Sequence, residues 1–298
     1  MIKDPKPVFF FSDGLKIAGL LALPDGEGPY PGVVMPQGTV GLKEHYRSPK
    51  ILSILADAGF AALTFDYRGF GESEGHKEQI VPLDQVQDIR NALTFLAAQP
   101  RVDAKKLILL GFCWGGTHSI YVAGTDPRVK GVATVGAVGD GYRWLRSLRR
   151  CWEWYDFISC VEKDRTQRVL TGNSKKVPFG EILVGSPNAK KGRDALIKEA
   201  PISPPYHTPG ANLHLAECIM EYKPEKVVEQ IAPRPLLIMH CELDDLVPLE
   251  EAKELYRIAN EPKELIVFPG AIHHEVYVDP LFDSVMNVTL KWLKKWFI

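Results

Sequence analysis

The stretch LILLGFCWGGTHSI, residues 107–120, decides which fold class the sequence predicts. Its four apolar residues predict a buried strand, and the residues after the cysteine predict a helix. Between them lies a Gly-x-Cys-x-Gly-Gly turn, whose glycines remove side chains that would collide where strand and helix pack closely. Such a turn pushes Cys113 into a cleft, where the partial positive charge of the helix N-terminus favours a thiolate. The alternative, a small core cysteine in a chance glycine-rich turn, is disfavoured because strand, turn and helix occur in the required order.

Strands and helices alternate along most of the chain. Predicted strands cover 7–11, 15–23, 30–36, 60–66, 105–110, 129–138, 235–240 and 263–269, and predicted helices cover 46–58, 83–98, 114–123, 249–259 and 281–297. The first two strands flank Ser12-Asp13-Gly14, a turn signal typical of an antiparallel hairpin. The pattern predicts an α/β fold whose central sheet is mostly parallel, with an N-terminal antiparallel hairpin and helices on both faces.

Residues 139–223 interrupt this alternation. They contain a group of aromatic residues, then a polar stretch and a proline-rich one, and they carry more basic than acidic side chains. An insertion of this length is more typical of a cap over a cleft than of a loop. The sequence therefore predicts a core formed by 1–138 and 224–298, with 139–223 inserted as a cap or lid subdomain.

Two features of the predicted cap leave alternatives open. Its aromatic residues either line an acyl pocket or form the small core of the cap itself; they are Tyr142, Trp144, Trp152, Trp154, Tyr155 and Phe157. Its closely spaced arginines either bind an acidic acyl donor or form a solvated helical face, which the spacing favours; they are Arg143, Arg146, Arg149 and Arg150.

A cysteine nucleophile needs a base and a group that orients the base. In an alternating sheet, both should come from loops at the same edge as the Gly-x-Cys turn and later in the chain. The stretch HCELDDLVP offers Asp244 and Asp245, and the stretch PGAIHH offers His273 and His274. Nucleophile, acid and histidine in this chain order are typical of one hydrolase architecture.

The chain resembles the α/β-hydrolases in the stretches PQGTVG, FDYRGFGES, GFCWGG, HCELDDLVP and PGAIHH, which together span nearly all of the predicted core. Within that superfamily, a cysteine in Gly-x-Cys-x-Gly-Gly is most similar to the dienelactone hydrolase family, whose members hydrolyse lactones and esters through Cys, His and Asp. The resemblance implies a larger, capped member. It does not carry over the dienelactone substrate, because Gln37-Gly38-Thr39 stands where that family has a glutamate that restrains the thiol.

The resemblance also ranks the candidate side chains. The pattern Asp-x-x-Val-Pro favours Asp244 over Asp245, and Pro-Gly-Ala-x-His favours His273 over His274. Asp140, just beyond strand 129–138, is a second position where some α/β-hydrolases place the acid and stays a minor alternative.

An oxyanion formed at Cys113 needs backbone donors. The N–H of Trp114 is free at the start of its helix, and the loop after strand 30–36 offers Gly38 and Thr39, of which Thr39 is preferred. That loop lacks the phosphate-binding and dinucleotide fingerprints, so no cofactor is predicted. The cysteines lack the spacing of zinc ligands, so no metal is predicted either.

Other polar residues have a structural interpretation. His240 is expected to be a hydrogen-bonded structural histidine, and Cys241 a small residue at a usual glycine position. His118 is expected to pack in its helix, and Arg68 to form a salt bridge within the protein rather than bind an anionic substrate.

Composition limits the partners. The net charge of −1 argues against nucleic acid or an anionic membrane, and no apolar run approaches the roughly 20 residues that span a bilayer. Five cysteines without a paired spacing and no signal-peptide core predict free thiols and a cytoplasmic location. The expected partner is a small-molecule acyl substrate, and a homodimer is left open.

Three functions compete. The first is hydrolysis of an ester, lactone or thioester through an acyl-cysteine, with Cys113, Asp244 and His273 as the triad. The second is an acyltransferase that passes the acyl group to an amine, alcohol or thiol. The third is a non-catalytic binding protein or scaffold, which is disfavoured because every triad position is filled.

Overall fold

The computed structural model describes residues 4–39, 41–77, 79–186, 188 and 210–298. The described strands are β1 Lys6–Ser12, β2 Leu15–Ala22, β3 Tyr30–Met35, β4 Ala61–Phe65, β5 Val102–Phe112, β6 Val129–Val135, β7 Lys176–Val177, β8 Ala211–Asn212, β9 Leu236–Cys241 and β10 Lys263–Phe268. The described helices are α1 Ser48–Asp57, α2 Pro82–Ala97, α3 Trp114–Thr125, α4 Gly141–Ser147, α5 Cys151–Thr171, α6 Phe179–Ile182, α7 His214–Glu221, α8 Leu249–Ile258 and α9 Leu281–Phe297. Short 3-10 helices cover Pro224–Lys226, Val228–Ile231 and His273–Tyr277. Within these ranges, none of the helices has the length and apolar character that a membrane crossing needs.

The main sheet has the strand order β1-β2-β4-β3-β5-β6-β9-β10. Strand β2 pairs antiparallel with β1 and with β4, and the remaining neighbours pair parallel. This arrangement confirms the predicted α/β fold with a mostly parallel sheet and an N-terminal hairpin. Because β3, β5, β9 and β10 all run parallel, the loops that follow them lie at one edge of the sheet.

The central strands are buried on both faces. In β5, Leu107 and Leu109 pack into the core that holds α2 and α3, while Ile108 and Leu110 pack into the core that holds α1 and α9. Alternation of side chains across a strand therefore explains why the run LILL is apolar throughout.

Two predicted element boundaries shift for the same backbone reason. Helix α1 begins at Ser48 rather than at Tyr46, because Tyr46 and Arg47 have φ of 51° and 60°, which a right-handed helix excludes. Strand β6 ends at Val135 rather than at 138, because Gly136 has φ of 66°. Both boundaries lie beside the loops that carry the candidate site.

The predicted cap segment contains α4 to α7 and the β7–β8 ribbon, and its residues 187 and 189–209 lie outside the described residues. Helices α4 and α5 both pack on α7. The segment is tied to the core by Arg143 of α4, whose guanidinium Nε donates to Glu251 Oε1 of α8 at 2.6 Å. The assignment of 139–223 as a cap over the cleft stays a prediction.

Candidate active site

Cys113 occupies a sharp turn between β5 and α3. Its φ of 52° and ψ of −123° are rarely adopted by a residue with a side chain, so the backbone is strained there. The turn is held because the Cys113 N–H donates to the Val135 carbonyl at 2.7 Å and the Cys113 carbonyl accepts from Thr117 N–H at 3.1 Å. Strand β6 and helix α3 thus fix the position of the cysteine from both sides.

Glycines on each side of Cys113 make this turn sterically accessible. A Cβ on Gly111 would lie 2.3 Å from the Gly115 carbonyl oxygen, and a Cβ on Gly115 would lie 2.2 Å from the Pro36 carbonyl oxygen. Neither distance leaves room for any side chain. The glycines therefore allow the close strand–helix packing that the sequence predicts, and they also let the loop after β3 lie against α3.

His273 and Asp244 form a buried pair beside the cysteine. His273 Nδ1 lies 2.6 Å from Asp244 Oδ2, and each residue is 6% exposed. Because an ionised carboxylate only accepts, Nδ1 carries the proton, and Nε2 is left as the ring nitrogen that can accept one. The structure therefore places the predicted cysteine, histidine and acid around one small cavity, with the histidine hydrogen-bonded to the acid.

The acid loop holds the second oxygen of Asp244. Asp244 Oδ1 accepts from the backbone N–H groups of Leu246 at 3.0 Å and Val247 at 2.8 Å. This leaves Oδ2 directed at His273. The loop turns back on its own carboxylate, which fixes the orientation of the acid.

The alternative acids and base are placed elsewhere. Asp245 Oδ2 hydrogen-bonds Ser186, and Asp140 caps α4 by accepting from Arg143 N–H at 3.0 Å. The ring of His274 contacts the ring of His273 edge-on, with centroids 5.1 Å apart. Asp245 and Asp140 therefore have partners other than His273.

The two ionisable partners shift each other in opposite directions. Burial alone would lower the pKa of His273, but the charges of Asp244 and Cys113 outweigh it and raise that pKa well above its ordinary value. Burial would raise the pKa of Asp244, but His273 outweighs it and lowers the pKa. The acid therefore stays ionised, and the site can stabilise the imidazolium that forms when His273 takes a proton.

The predicted oxyanion donors lie on two adjoining loops. Trp114 is the first residue of α3, where a backbone N–H has no intrahelical acceptor. Gly38 lies against the same turn, since a Cβ on it would be 3.9 Å from Cys113 Cβ, and the next residue, Thr39, is buried. The sharp turn at Cys113 and the loop after β3 therefore lie side by side, as they must if each supplies one backbone donor to the oxyanion.

Gln37, in the loop after β3, points into the core. Its amide Nε2 donates to Ser48 Oγ at 3.1 Å and to Thr64 Oγ1 at 2.5 Å. This side chain therefore links the loop after β3 to α1 and β4.

Sequence reasoning missed two residues of the site. Gly136 has φ of 66°, and a Cβ on it would lie 3.3 Å from His273 Cε1, so a side chain there would press on the histidine ring. Tyr277 is buried, lines the small cavity that Cys113 and Asp244 also line, and stacks on Phe112 with centroids 5.4 Å apart. The signals available were a glycine within the last three residues of the predicted strand 129–138 and a tyrosine one helical turn beyond His273.

The structure confirms the structural interpretation of three other residues. Arg68 forms an ion pair with Asp88 at 2.7 Å, and His240 Nε2 donates to the Val247 carbonyl at 2.8 Å. His118 packs fully buried in α3.

Two arginines of the predicted cap have partners within the protein. Arg143 pairs with Glu251, and the guanidinium of Arg149 donates to the carbonyls of Glu181 and Ile182 at 2.6 and 2.8 Å. Burial lowers the pKa of Arg149 to about 10. Arg143 thus ties the segment to the core and Arg149 holds the segment together, whereas Arg150 is exposed as a solvated face requires.

The aromatic residues of the segment divide by burial. Trp144 is 1% exposed and stacks on Trp114 with centroids 5.4 Å apart, and Trp154 is also buried. Trp152 is 59% exposed. None of the three lines the small cavity beside Cys113 in the described part of the chain.

Several known proteins resemble this chain over most of its length. The sequence profile of the dienelactone hydrolase family matches residues 17–139. An uncharacterised 31.7 kDa protein from the traX-finO intergenic region of Escherichia coli is 30% identical over 284 residues, covering 94% of this chain and 96% of that protein. A protein named thiohydrolase aneE from Aspergillus aculeatus is 25% identical and covers 96% of this chain and 91% of its own.

A solved structure extends the comparison. The α/β-hydrolase GrgF from Penicillium, also named polyketide transferase, superimposes with a TM-score of 0.81 at 25% identity, covering 98% of this chain and 99% of its own. The strand order, the sharp cysteine turn and these similarities lead to one assignment. The chain belongs to the dienelactone hydrolase family and is an enzyme of the α/β-hydrolase superfamily.

Proposed function

We propose that this enzyme hydrolyses a carboxylic ester, lactone or thioester through an acyl intermediate on Cys113. The observation that carries the proposal is that Cys113, His273 and Asp244 line one small cavity, with 2.6 Å between His273 Nδ1 and Asp244 Oδ2. A strained turn, a base and a buried acid in this order are what acyl transfer through a nucleophile requires.

In the first half of the reaction, Cys113 becomes acylated. The sulfur adds to the substrate carbonyl carbon while the thiol proton passes to His273 Nε2. The carbonyl oxygen becomes an oxyanion, which the N–H groups of Trp114 and Thr39 stabilise. When the C–O or C–S bond to the leaving group breaks, His273 returns the proton to that group and an acyl-cysteine thioester remains.

In the second half, water resolves the thioester. His273 takes a proton from the water as its oxygen adds to the acyl carbon, and the same two N–H groups hold the second oxyanion. The carbon–sulfur bond breaks, Cys113 recovers the proton, and a carboxylic acid leaves. Asp244 keeps its negative charge throughout and holds the Nδ1–H tautomer of His273.

The substrate we propose is a small acyl compound, with residues 139–223 as the cap that selects it. Support comes from two contacts that reach the acid loop from this segment: Trp144 Nε1 donates to the Leu246 carbonyl at 2.7 Å, and Ser186 hydrogen-bonds Asp245. The cavity wall near Cys113 is partly apolar, with Val135 and Val276 among its residues.

A second candidate is acyl transfer. A thioester acyl-enzyme is attacked by amines, alcohols and thiols as well as by water, so the same triad serves a transferase. The observation that favours it is the similarity to GrgF, a protein named a polyketide transferase. Thiohydrolase aneE matches this chain at comparable identity and is named a hydrolase, which favours hydrolysis as the leading proposal.

The test is intact-protein mass after exposure to a panel of esters, lactones and acyl-CoA thioesters. An added acyl mass on the wild type that is absent from Cys113→Ala supports the proposal, and the mass identifies the acyl group. Cys160→Ala, which removes an exposed thiol in α5, is the matched control and should acylate like the wild type. Faster loss of the adduct in the presence of amines or thiols identifies a transferase. Full turnover by Cys113→Ala would contradict the nucleophile assignment.

A further inference from the structure

One peptide plane joins the predicted cap to the acid. In the peptide between Leu246 and Val247, the carbonyl oxygen accepts from Trp144 Nε1 at 2.7 Å and the N–H donates to Asp244 Oδ1 at 2.8 Å. A hydrogen bond to the carbonyl polarises the peptide and strengthens its N–H as a donor. The indole of Trp144 therefore acts on the carboxylate of Asp244 through a single rigid group.

Trp144 also contacts the other side of the site. Its ring lies nearly parallel to the ring of Trp114, at an interplanar angle of 28°. Trp114 contributes the proposed oxyanion N–H, so the side chain of Trp144 connects the acid loop with the turn that carries Cys113. Helix α4 is itself anchored, since Arg143 Nε donates to Glu251 at 2.6 Å.

Burial alone does not explain the indole hydrogen bond. Trp114 and Trp292 are as deeply buried as Trp144, at 0%, 3% and 1% exposure, yet their Nε1 atoms have no hydrogen-bond partner among the described residues. The chain thus tolerates an unpaired indole N–H where only packing matters. The indole N–H of Trp144 instead donates to the loop that orients the acid.

A second hydrogen bond holds the next peptide, between Val247 and Pro248. His240 Nε2 donates to the Val247 carbonyl at 2.8 Å. The two carbonyls of the loop are thus held from outside, by Trp144 at residue 246 and by His240 at residue 247. The peptides on both sides of Val247 are thereby fixed, and the Val247 N–H is directed at Oδ1 of Asp244, which leaves Oδ2 for His273.

We propose that Trp144 is a positioning residue of the active site: its indole N–H locks the 246–247 peptide so that Asp244 holds His273 in the orientation for proton transfer. The inference rests on the proposed function. It predicts that loss of the indole N–H slows acylation of Cys113 without weakening substrate binding.

The experiment compares Trp144→Phe with replacement of Trp144 by β-(3-benzothienyl)alanine, which keeps the ring shape and removes only the N–H. The matched control is Trp292→Phe, a buried indole without a hydrogen bond in the described structure. The burst of p-nitrophenolate from p-nitrophenyl acetate gives the acylation rate constant and the half-saturation concentration. The low-field proton resonance of His273 Nδ1–H, identified by its loss in Asp244→Asn, gives a readout that is independent of turnover.

We expect both Trp144 variants to acylate about tenfold more slowly, as loss of one hydrogen bond predicts, with an unchanged half-saturation concentration. Their His273 resonance should shift or broaden, while Trp292→Phe keeps the wild-type rate and resonance. If the benzothienyl variant keeps the wild-type acylation rate and the wild-type His273 resonance, the inference is overturned while the proposed function stands. An equal slowing in Trp292→Phe would overturn it as well, as a general packing effect. A wild type that no acyl probe modifies would instead overturn the proposed function.

Discussion

The surroundings of His118 and His273 show how one residue type can be used in two ways in the same interior. His118 hydrogen-bonds two neutral groups, Tyr222 Oη through Nδ1 and Gln85 Oε1 through Nε2, each at 3.0 Å. Burial lowers the pKa of His118 to about 3, whereas the pKa of His273 is raised well above its ordinary value. The charge of the neighbour, rather than the depth of burial, decides which histidine can hold a proton at neutral pH.

Asp244→Asn tests this comparison with the largest expected effect, since it gives His273 a neutral neighbour like those of His118. The asparagine can donate to the ring, and the histidine then sits in the wrong tautomer. We expect acylation of Cys113 to fall about a thousandfold or more, by analogy with other triads. The measurement is the rate of adduct formation by intact mass.

Asp245→Asn is the matched control for this variant, because it makes the same chemical change one residue away, where the carboxylate contacts Ser186. It should stay within about threefold of the wild-type rate, as expected for a carboxylate outside the triad. A crippled Asp245→Asn beside a mild Asp244→Asn would show that the wrong acid has been assigned.

His118→Gln sharpens the comparison from the other side. Loss of the buried hydrogen bonds to Tyr222 and Gln85 should lower the free energy of unfolding by about 1–3 kcal/mol at pH 7. Acylation should change little, because His118 does not contact the triad acid. Urea denaturation and the p-nitrophenolate burst measure the two effects, and His273→Gln should show the reverse pattern, with lost acylation and a smaller stability change. A His118→Gln protein as stable as the wild type would contradict the buried network.

The pH dependence of stability gives the smallest and most specific effect. The unfolded chain protonates His118 near pH 6.5 and the folded chain only near pH 3, so between these values the unfolded state binds more protons. Stability therefore falls as pH falls from about 6.5, by up to about 1.4 kcal/mol per pH unit from this one group. His118→Gln lacks this term, so its stability deficit relative to the wild type should shrink between pH 6.5 and 5. Parallel curves for the two proteins would show that His118 protonates normally in the fold.

The parts of the site that lie on local motifs could be predicted from the sequence, and those that depend on backbone acceptors could not. Cys113, Asp244 and His273 each follow a strand closely, so strand order and turn residues indicate one shared edge. Trp144 instead donates to a carbonyl 102 residues away, and any residue type carries a carbonyl. An acceptor of that kind leaves no mark in the sequence.

The fold shows the same division. The apolar run LILL and the glycines around Cys113 are enough to predict β5, the turn and α3, because each reflects a local steric demand. The start of α1 was predicted two residues early, since apolar spacing says nothing of the positive φ at Tyr46 and Arg47. For the arginines of 139–223 the spacing favours a solvated face over binding of an acidic donor; Arg150 is exposed, whereas Arg149 is buried on the carbonyls of Glu181 and Ile182.

The backbone of Cys113 places activity and stability in opposition at a single residue. Its φ of 52° with ψ of −123° costs roughly 1–3 kcal/mol for a residue with a side chain, and glycine would adopt it at little cost. Selection for thermal tolerance alone would therefore favour glycine at position 113, and that substitution would remove the nucleophile. A stabilised yet inert Cys113→Gly protein would make a scaffold for trapping uncleaved substrate in the cleft, because the fold would remain while the reacting sulfur is gone.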